Sequence, residues 1–297
     1  MDGSPLIDIG LPIALAIIMV GIGLTLTVAD FRREARQPRG MIVGSVGQLL
    51  LLPLLGFAII AVLDLEPAIA VGVIIVAACP GGTTSNLIAY LGRANVALSI
   101  VLTVVASIVT IVTLPLFTDL ALDLQPGVDG AIEVPLLRTT GTLVGVILLP
   151  VVVGMVIRAR NVRVAATAGR LVSVFGLVVL IGLIVGIAIQ LGDEIPGLLA
   201  QAGPAVLLLN LGGIAVGWSL GRLSGLVWHD RLTLAIEIGV KNSTLGILLA
   251  LLLGSFTYAV PAAVYALPMY LTAAVLAVIG RRRYAVAPPA EAAVTTD

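Results

Sequence analysis

The sequence predicts an all-α polytopic membrane protein: nine transmembrane helices, forming an inverted-repeat core with two broken, crossing helices plus a panel domain. Three observations predict it. At 60% hydrophobic and 11% charged residues over 297, with a mean hydropathy of +1.19, a soluble domain could not cover its own apolar surface, so the surrounding solvent is lipid. Apolar runs long enough to cross about 30 Å of hydrocarbon recur between short polar breaks, and they are continuous rather than alternating, which suits helices and not strands. Two of these runs are interrupted in corresponding places by glycine, proline and polar residues, the pattern of discontinuous helices.

The runs are expected at 6–28, 40–63, 67–91, 94–117, 133–157, 168–190, 198–221, 230–253 and 258–280. No basic residue precedes the first, and it is followed by arginines rather than a small-residue cleavage site, so a retained membrane helix is expected there and not a signal peptide. The Ala/Pro/Thr-rich stretch 284–297 is expected to be a disordered tail.

Charge orients the runs. Arg32, Arg33, Arg36 and Arg39, then Arg93, then Arg158, Arg160, Arg163 and Arg170, then Arg222 and Arg231, then Arg281 to Arg283 all fall on one side. The alternate connections carry Asp64 and Glu66, then Asp119, Asp123, Asp129 and Glu133, then Asp193 and Glu194, with Arg138 the one arginine near them. The positive-inside rule puts the N-terminus outside and the C-terminus in the cytoplasm of a cell (inner) membrane, which needs an odd number of spans.

The third run breaks at Cys79-Pro80-Gly81-Gly82-Thr83-Thr84-Ser85-Asn86, where Pro80 lacks a backbone donor and two glycines release the helix. The eighth breaks near Gly239, where Glu237 and Lys241, the only lysine, sit at mid-membrane beside Asn242, Ser243 and Thr244. An ionisable group there marks an ion or substrate path by default. A purely structural ion pair would leave the clustered hydroxyls and amides after both breaks without a reason. Paired breaks, one per half, point to an inverted-repeat secondary transporter, with half-helix N-termini suited to an anion and unwound carbonyls suited to a cation. One transmembrane unit over 1–297 is expected, its core at 39–118 and 197–281 and its panel at 6–28 and 133–190.

Enzymatic chemistry finds little to work with. His229 is the only histidine, there is no nucleophile–base pair, and no glycine loop is followed by lysine. The single cysteine, Cys79, excludes an internal disulfide and a multi-cysteine metal site and is expected to be a packing residue. No cofactor and no nucleic-acid partner is expected.

The segments ACPGGTTSNLIAYLGRANVALSIVLT and EIGVKNSTLGILLALLL, with GIGLTLTVADF in the first run, resemble the signature regions of the bile acid:sodium symporter family. The resemblance extends over nearly the whole chain and is to the nine-helix members, which lack one N-terminal helix of the common ten-helix bacterial form. It implies a first sodium site from Ser85, Asn86, Ser99, Thr103 and Glu237. Hydroxyls, an amide carbonyl and a carboxylate are what a small hard cation accepts in place of water, and Ser99 and Thr103, spaced i, i+4, share a helix face. The family's second sodium site corresponds to Gln48, Glu237, the carbonyls near Ile238 and Val240, and a glutamine that is Lys241 here. Protonated lysine only donates, so that second sodium is expected to be absent. The ammonium then stands in for it, or, desolvated, gives up a proton during the cycle. Substrate contacts correspond to Thr83 and Asn242, and a further family asparagine aligns with Tyr270. The expected function is alternating-access transport of a small or amphipathic organic anion with sodium or a proton as partner. A proton/cation antiporter using Glu237 and Lys241 is the alternative.

Overall fold

In the computed structural model the described residues are 9–25, 27, 29, 32, 34, 36, 38–125 and 136–286. They fold into helices without a strand among them. α1 is Leu11–Thr25 and α2 is Arg39–Val62. The third run is two pieces, α3 (Pro67–Ala78) and α4 (Thr83–Leu91), bent by 59°. α5 is Val96–Leu124. α6 joins Leu136–Leu143 through Val144–Leu148 to Leu149–Arg160. α7 is Val162–Leu191 and α8 is Ile195–Leu223. The eighth run is also two pieces, α9 (Trp228–Gly239) and α10 (Ser243–Leu252), and α11 is Val260–Val286.

Among the described residues six helical stretches are long and apolar enough to cross a membrane, or seven with the bent pair α3–α4 taken as one. α1 is shorter, at 15 residues. The stretch Val162–Leu223 runs 62 residues, about 93 Å at helical rise and three times the hydrocarbon thickness. It reverses at Gly192, whose φ is +50°, within the 3-10 turn Gly192–Glu194. Leu191 and Leu198, on either side, both line a groove with Val260, while farther along α11 Leu177 lines a small pocket with Tyr270 and Thr272 bonds Asn210. α11 ends at Val286, so 284–286 are helical where a disordered tail was expected, and the remainder of that tail lies outside the described residues.

Both α2 and α6 contain a five-residue π-helical turn, Gly47–Leu51 and Val144–Leu148, each followed by Leu-Pro. A proline ring crowds the carbonyl four residues back, and a wider turn relieves the clash.

α1 packs on α6 and α7; α2, α3, α5, α8, α9 and α11 pack on one another; the two groups meet through α5, α10 and α11. Small residues set the closest approaches. Gly23 of α1 and Gly154 of α6 face each other, and a Cβ on either would run into the backbone opposite. Gly213, Gly217 and Gly221 of α8 recur every four residues against α9, where added Cβ atoms would meet Ile238, Leu234 and Arg231. Replacing Gly154 with valine is expected to cost about 1–3 kcal/mol of overpacking, measured as a lowered midpoint of thermal unfolding in detergent.

The arginine-bearing ends are stapled by those arginines. Guanidinium groups donate to carbonyls from Arg39 to Ser224, Arg158 to Leu24 (3.1 Å), Arg231 to Leu226 (2.6 Å) and Arg281 to Leu91 (2.8 Å). Each satisfies a carbonyl at a helix end that the helix itself leaves open.

Candidate functional site

The two interrupted runs meet where they lose helical geometry. α3 ends at Ala78 and Cys79 turns extended (φ −64°, ψ 148°). α9 ends at Gly239 and Val240 turns likewise (φ −103°, ψ 115°). The amide of Asn242 donates to the carbonyl of Pro80 at 2.9 Å, so the breaks are tied to each other. Asn242 caps α10 by accepting from Leu245 N at 3.1 Å. The carbonyl of Gly239, freed by the end of α9, is taken up by Tyr265 Oη at 2.8 Å and Asn210 Nδ2 at 2.9 Å. Thr272 in turn donates to Asn210 Oδ1 at 2.9 Å.

On one side of the paired breaks lies a buried carboxylate. Glu237 is fully buried, and its oxygens accept from Ser99 Oγ at 2.7 Å and from Thr103 Oγ1. The same two hydroxyls lie 2.8 and 3.3 Å from Asn86 Oδ1. Ser85 Oγ is 3.4 Å from Thr103 Oγ1 and donates to Gly82 O at 2.6 Å. A hydroxyl carries one proton, yet Ser99 faces two acceptors and Thr103 faces three, since the Ser99 carbonyl is also 3.0 Å from it. The cluster therefore holds more acceptor oxygens than hydroxyl protons facing them, while Asn86 Nδ2 is buried without a partner; a bound cation relieves the surplus of oxygens. Gly81 closes over it, because a Cβ there would strike Glu237 Oε1.

On the other side the N-termini of α4 and α10 converge on a small pocket of about 50 Å³ lined by Thr83, Thr84, Lys241, Asn242, Ser243 and Tyr270, with Ile18 of α1 and Ser173 and Leu180 of α7 opposite. Lys241 is 1% exposed and its Nζ has no hydrogen-bond partner; Ser243 Oγ, also buried, has none. No ion pair joins Lys241 to Glu237 in the described residues: the chain leaves helical geometry at Val240, so the two do not share a helix face. Cys79 is buried beside Gly246.

The structure thus brings Ser85, Asn86, Ser99, Thr103 and Glu237 together, and places Thr83 and Asn242 on the small pocket. It leaves Gln48 apart from Glu237 in bonding: Nε2 donates to Leu102 O at 3.1 Å and Oε1 has no partner. Asn210 and Tyr265, which hold the second break, were not found from the sequence. A lone asparagine inside the apolar stretch LLLNLGG was the available signal.

Fold and site define a polytopic helical membrane protein with a buried glutamate and a buried lysine at two adjoining helix breaks. The model of the Sodium Bile acid symporter family matches residues 12–196. The chain is 35% identical over 277 residues to the probable chloroplastic sodium/metabolite cotransporter BASS2 of Oryza sativa subsp. japonica, covering 91% of this chain and 64% of that one. It is 34% identical over 273 residues to the uncharacterized sodium-dependent transporter YocS of Bacillus subtilis (strain 168), covering 89% and 81%. To the human ileal sodium/bile acid cotransporter it is 29% identical over 247 residues, covering 79% and 67%. The chain belongs to the sodium bile acid symporter family.

Proposed function

We propose that this protein is a secondary active transporter that carries a small or amphipathic organic anion across a cell membrane by alternating access, coupled to one sodium ion at Glu237. The observation that carries this reading is the surplus of acceptor oxygens around a fully buried carboxylate. Lys241 takes the place of a second cation, supported by an ammonium that is buried and unpartnered. The anion binds at the converging N-termini of α4 and α10, where free N–H groups favour negative charge, with Thr83 and Asn242 in contact. The sodium- or bile-acid-linked names of the relatives agree with coupling to sodium.

Nine spans follow if α1 crosses the bilayer and Val162–Leu223 is counted as two, and the arginine-bearing side is then cytoplasmic with the N-terminus outside. α1, α6 and α7 form the panel, and the inverted-repeat core rocks against it. A proton-coupled or sodium-independent carrier, or a proton/cation antiporter, is the alternative favoured by the same unpartnered Lys241.

A thermal-shift screen of organic acids with and without sodium identifies the ligand, since a ligand at 100-fold over its Kd stabilises the folded state by about 2.7 kcal/mol. Uptake of that acid into proteoliposomes is expected to need sodium, with choline as the comparison. Equal uptake in both over the whole pH range removes sodium coupling, and stabilisation by sodium with no responding acid removes the organic substrate.

A further inference from the structure

One helical turn from the Glu237 site, towards the arginine-bearing side, α5 and α9 are joined by a second set of polar contacts that nothing above uses. Asn95 N donates to Thr233 Oγ1 at 2.8 Å, and that hydroxyl lies 2.9 Å from His229 O of its own helix and 3.2 Å from Asn95 O. Asn95 Oδ1 caps α5 at Leu98 N, while its Nδ2 donates to Asp230 Oδ1 at 2.9 Å. Thr233 is fully buried and Asp230 half-buried.

The positions on the two helices run in parallel, Asn95, Ser99 and Thr103 on α5 against Asp230, Thr233 and Glu237 on α9. At three or four residues per step, successive oxygens stand about 5–6 Å apart along the helices. The flanking residues Leu98, Leu102, Leu226 and Leu234 form an apolar cluster. This seam is therefore a file of oxygens between the buried carboxylate and the surface. Its outer end opens on a cavity of about 1110 Å³ lined by Glu34, Arg36, Arg39, Asn95 and Asp230. The Arg39 guanidinium is turned to Ser224 O, and the second carboxylate oxygen of Asp230 has no hydrogen bond among the described residues.

We propose that Asp230, with Asn95 and Thr233, is the cytoplasmic station of the cation pathway, a second cation-binding stop through which the ion at Glu237 exchanges with the cytoplasm. It rests on the cation-coupled reading above. A cation leaving Glu237 must exchange oxygen for oxygen, because bare passage between leucines carries the full cost of desolvation. The seam supplies those oxygens in order: Ser99 Oγ, the Thr233 hydroxyl, the Asn95 carbonyl and the Asp230 carboxylate. The bond from Asn95 N to Thr233 Oγ1 bars the way in this conformation, so transfer follows its opening. Arg36 and Arg39 in the cavity keep the vestibule from retaining the ion.

The test uses the full chain in proteoliposomes of known orientation, with sodium-22 exchange followed as sodium is varied on one face at a time. Asp230→Asn is expected to raise the half-saturating sodium on the arginine-bearing face by about fivefold, the scale of a partly exposed charge contact, and to leave the opposite face unchanged. Asp230→Glu restores it. An equal shift on both faces, or none, overturns the proposal. If Asp230→Asn does not reconstitute, Thr233→Val replaces it: slower exchange through the arginine-bearing face, with the half-saturating sodium on the opposite face unchanged, supports the route, and unaltered exchange overturns it. No sodium exchange in the wild type, with intact protein, removes the coupled reading itself and this inference with it.

Discussion

Replacing Glu237 with glutamine abolishes sodium-coupled uptake. The substitution keeps the shape of the side chain but puts two N–H donors where one carboxylate oxygen accepted, and it removes the only charge in direct contact with the oxygen cluster. Removing one partner of a buried charged pair costs about 3–5 kcal/mol, so sodium affinity is expected to fall by about two to three and a half orders of magnitude. Thr103→Val and Asn86→Ala each remove one oxygen and leave the charge, and are expected to raise the sodium requirement about tenfold, by loss of a contact worth about 1.4 kcal/mol. Two measurements check this. Sodium should stabilise the wild type against heat and have no effect on Glu237→Gln, and uptake against sodium concentration should shift for the other two. A Glu237→Gln protein that is still stabilised by sodium to the wild-type extent shows that the ion sits elsewhere.

Lys241→Gln carries the second large effect. If the ammonium stands in for a second cation, wild-type uptake depends on sodium with a Hill coefficient of about 1, and the substitution reopens a second oxygen site and steepens the curve towards about 2, the number of sites setting the ceiling. Gln48 Oε1, a buried acceptor without a partner, is the remaining oxygen on hand for that ion. If instead Lys241 hands over a proton, wild-type uptake responds to an imposed pH gradient without sodium, and Lys241→Gln loses that response. Proteoliposome flux with sodium and pH gradients imposed separately distinguishes them. A variant that matches the wild type in both tests shows that Lys241 has neither role.

The order of these two effects follows from contact. Glu237 is hydrogen-bonded into the oxygen cluster, so in the proposed cycle its loss acts on the ion directly. Lys241 touches no polar partner through Nζ, so its loss acts through charge in a poorly solvated interior, where an uncompensated charge is felt over several ångströms.

The sequence by itself determined the helical membrane class and the places of both breaks, and through the family resemblance of its motifs it pointed to Ser85, Asn86, Ser99 and Thr103 beside Glu237. Each was legible because its signal is local: apolar runs have a length that only a bilayer explains, and Pro80 with Gly81 and Gly82 cannot continue a helix. Ser99 and Thr103 were legible as neighbours because four residues make one turn. Only the tertiary structure decided what lies across the gaps. That Asn242 N bonds Pro80 O, that Tyr265 and Asn210 hold the Gly239 carbonyl, and that Asn95 pairs with Thr233 and Asp230 are contacts between residues 26 to 162 positions apart. No periodicity in a chain encodes which distant carbonyl a side chain meets. The same holds for Lys241. The chain leaves helical geometry at Val240, just before it, and Nζ ends without a hydrogen-bond partner, while the backbone at the break finds partners on α8, α11 and the facing break.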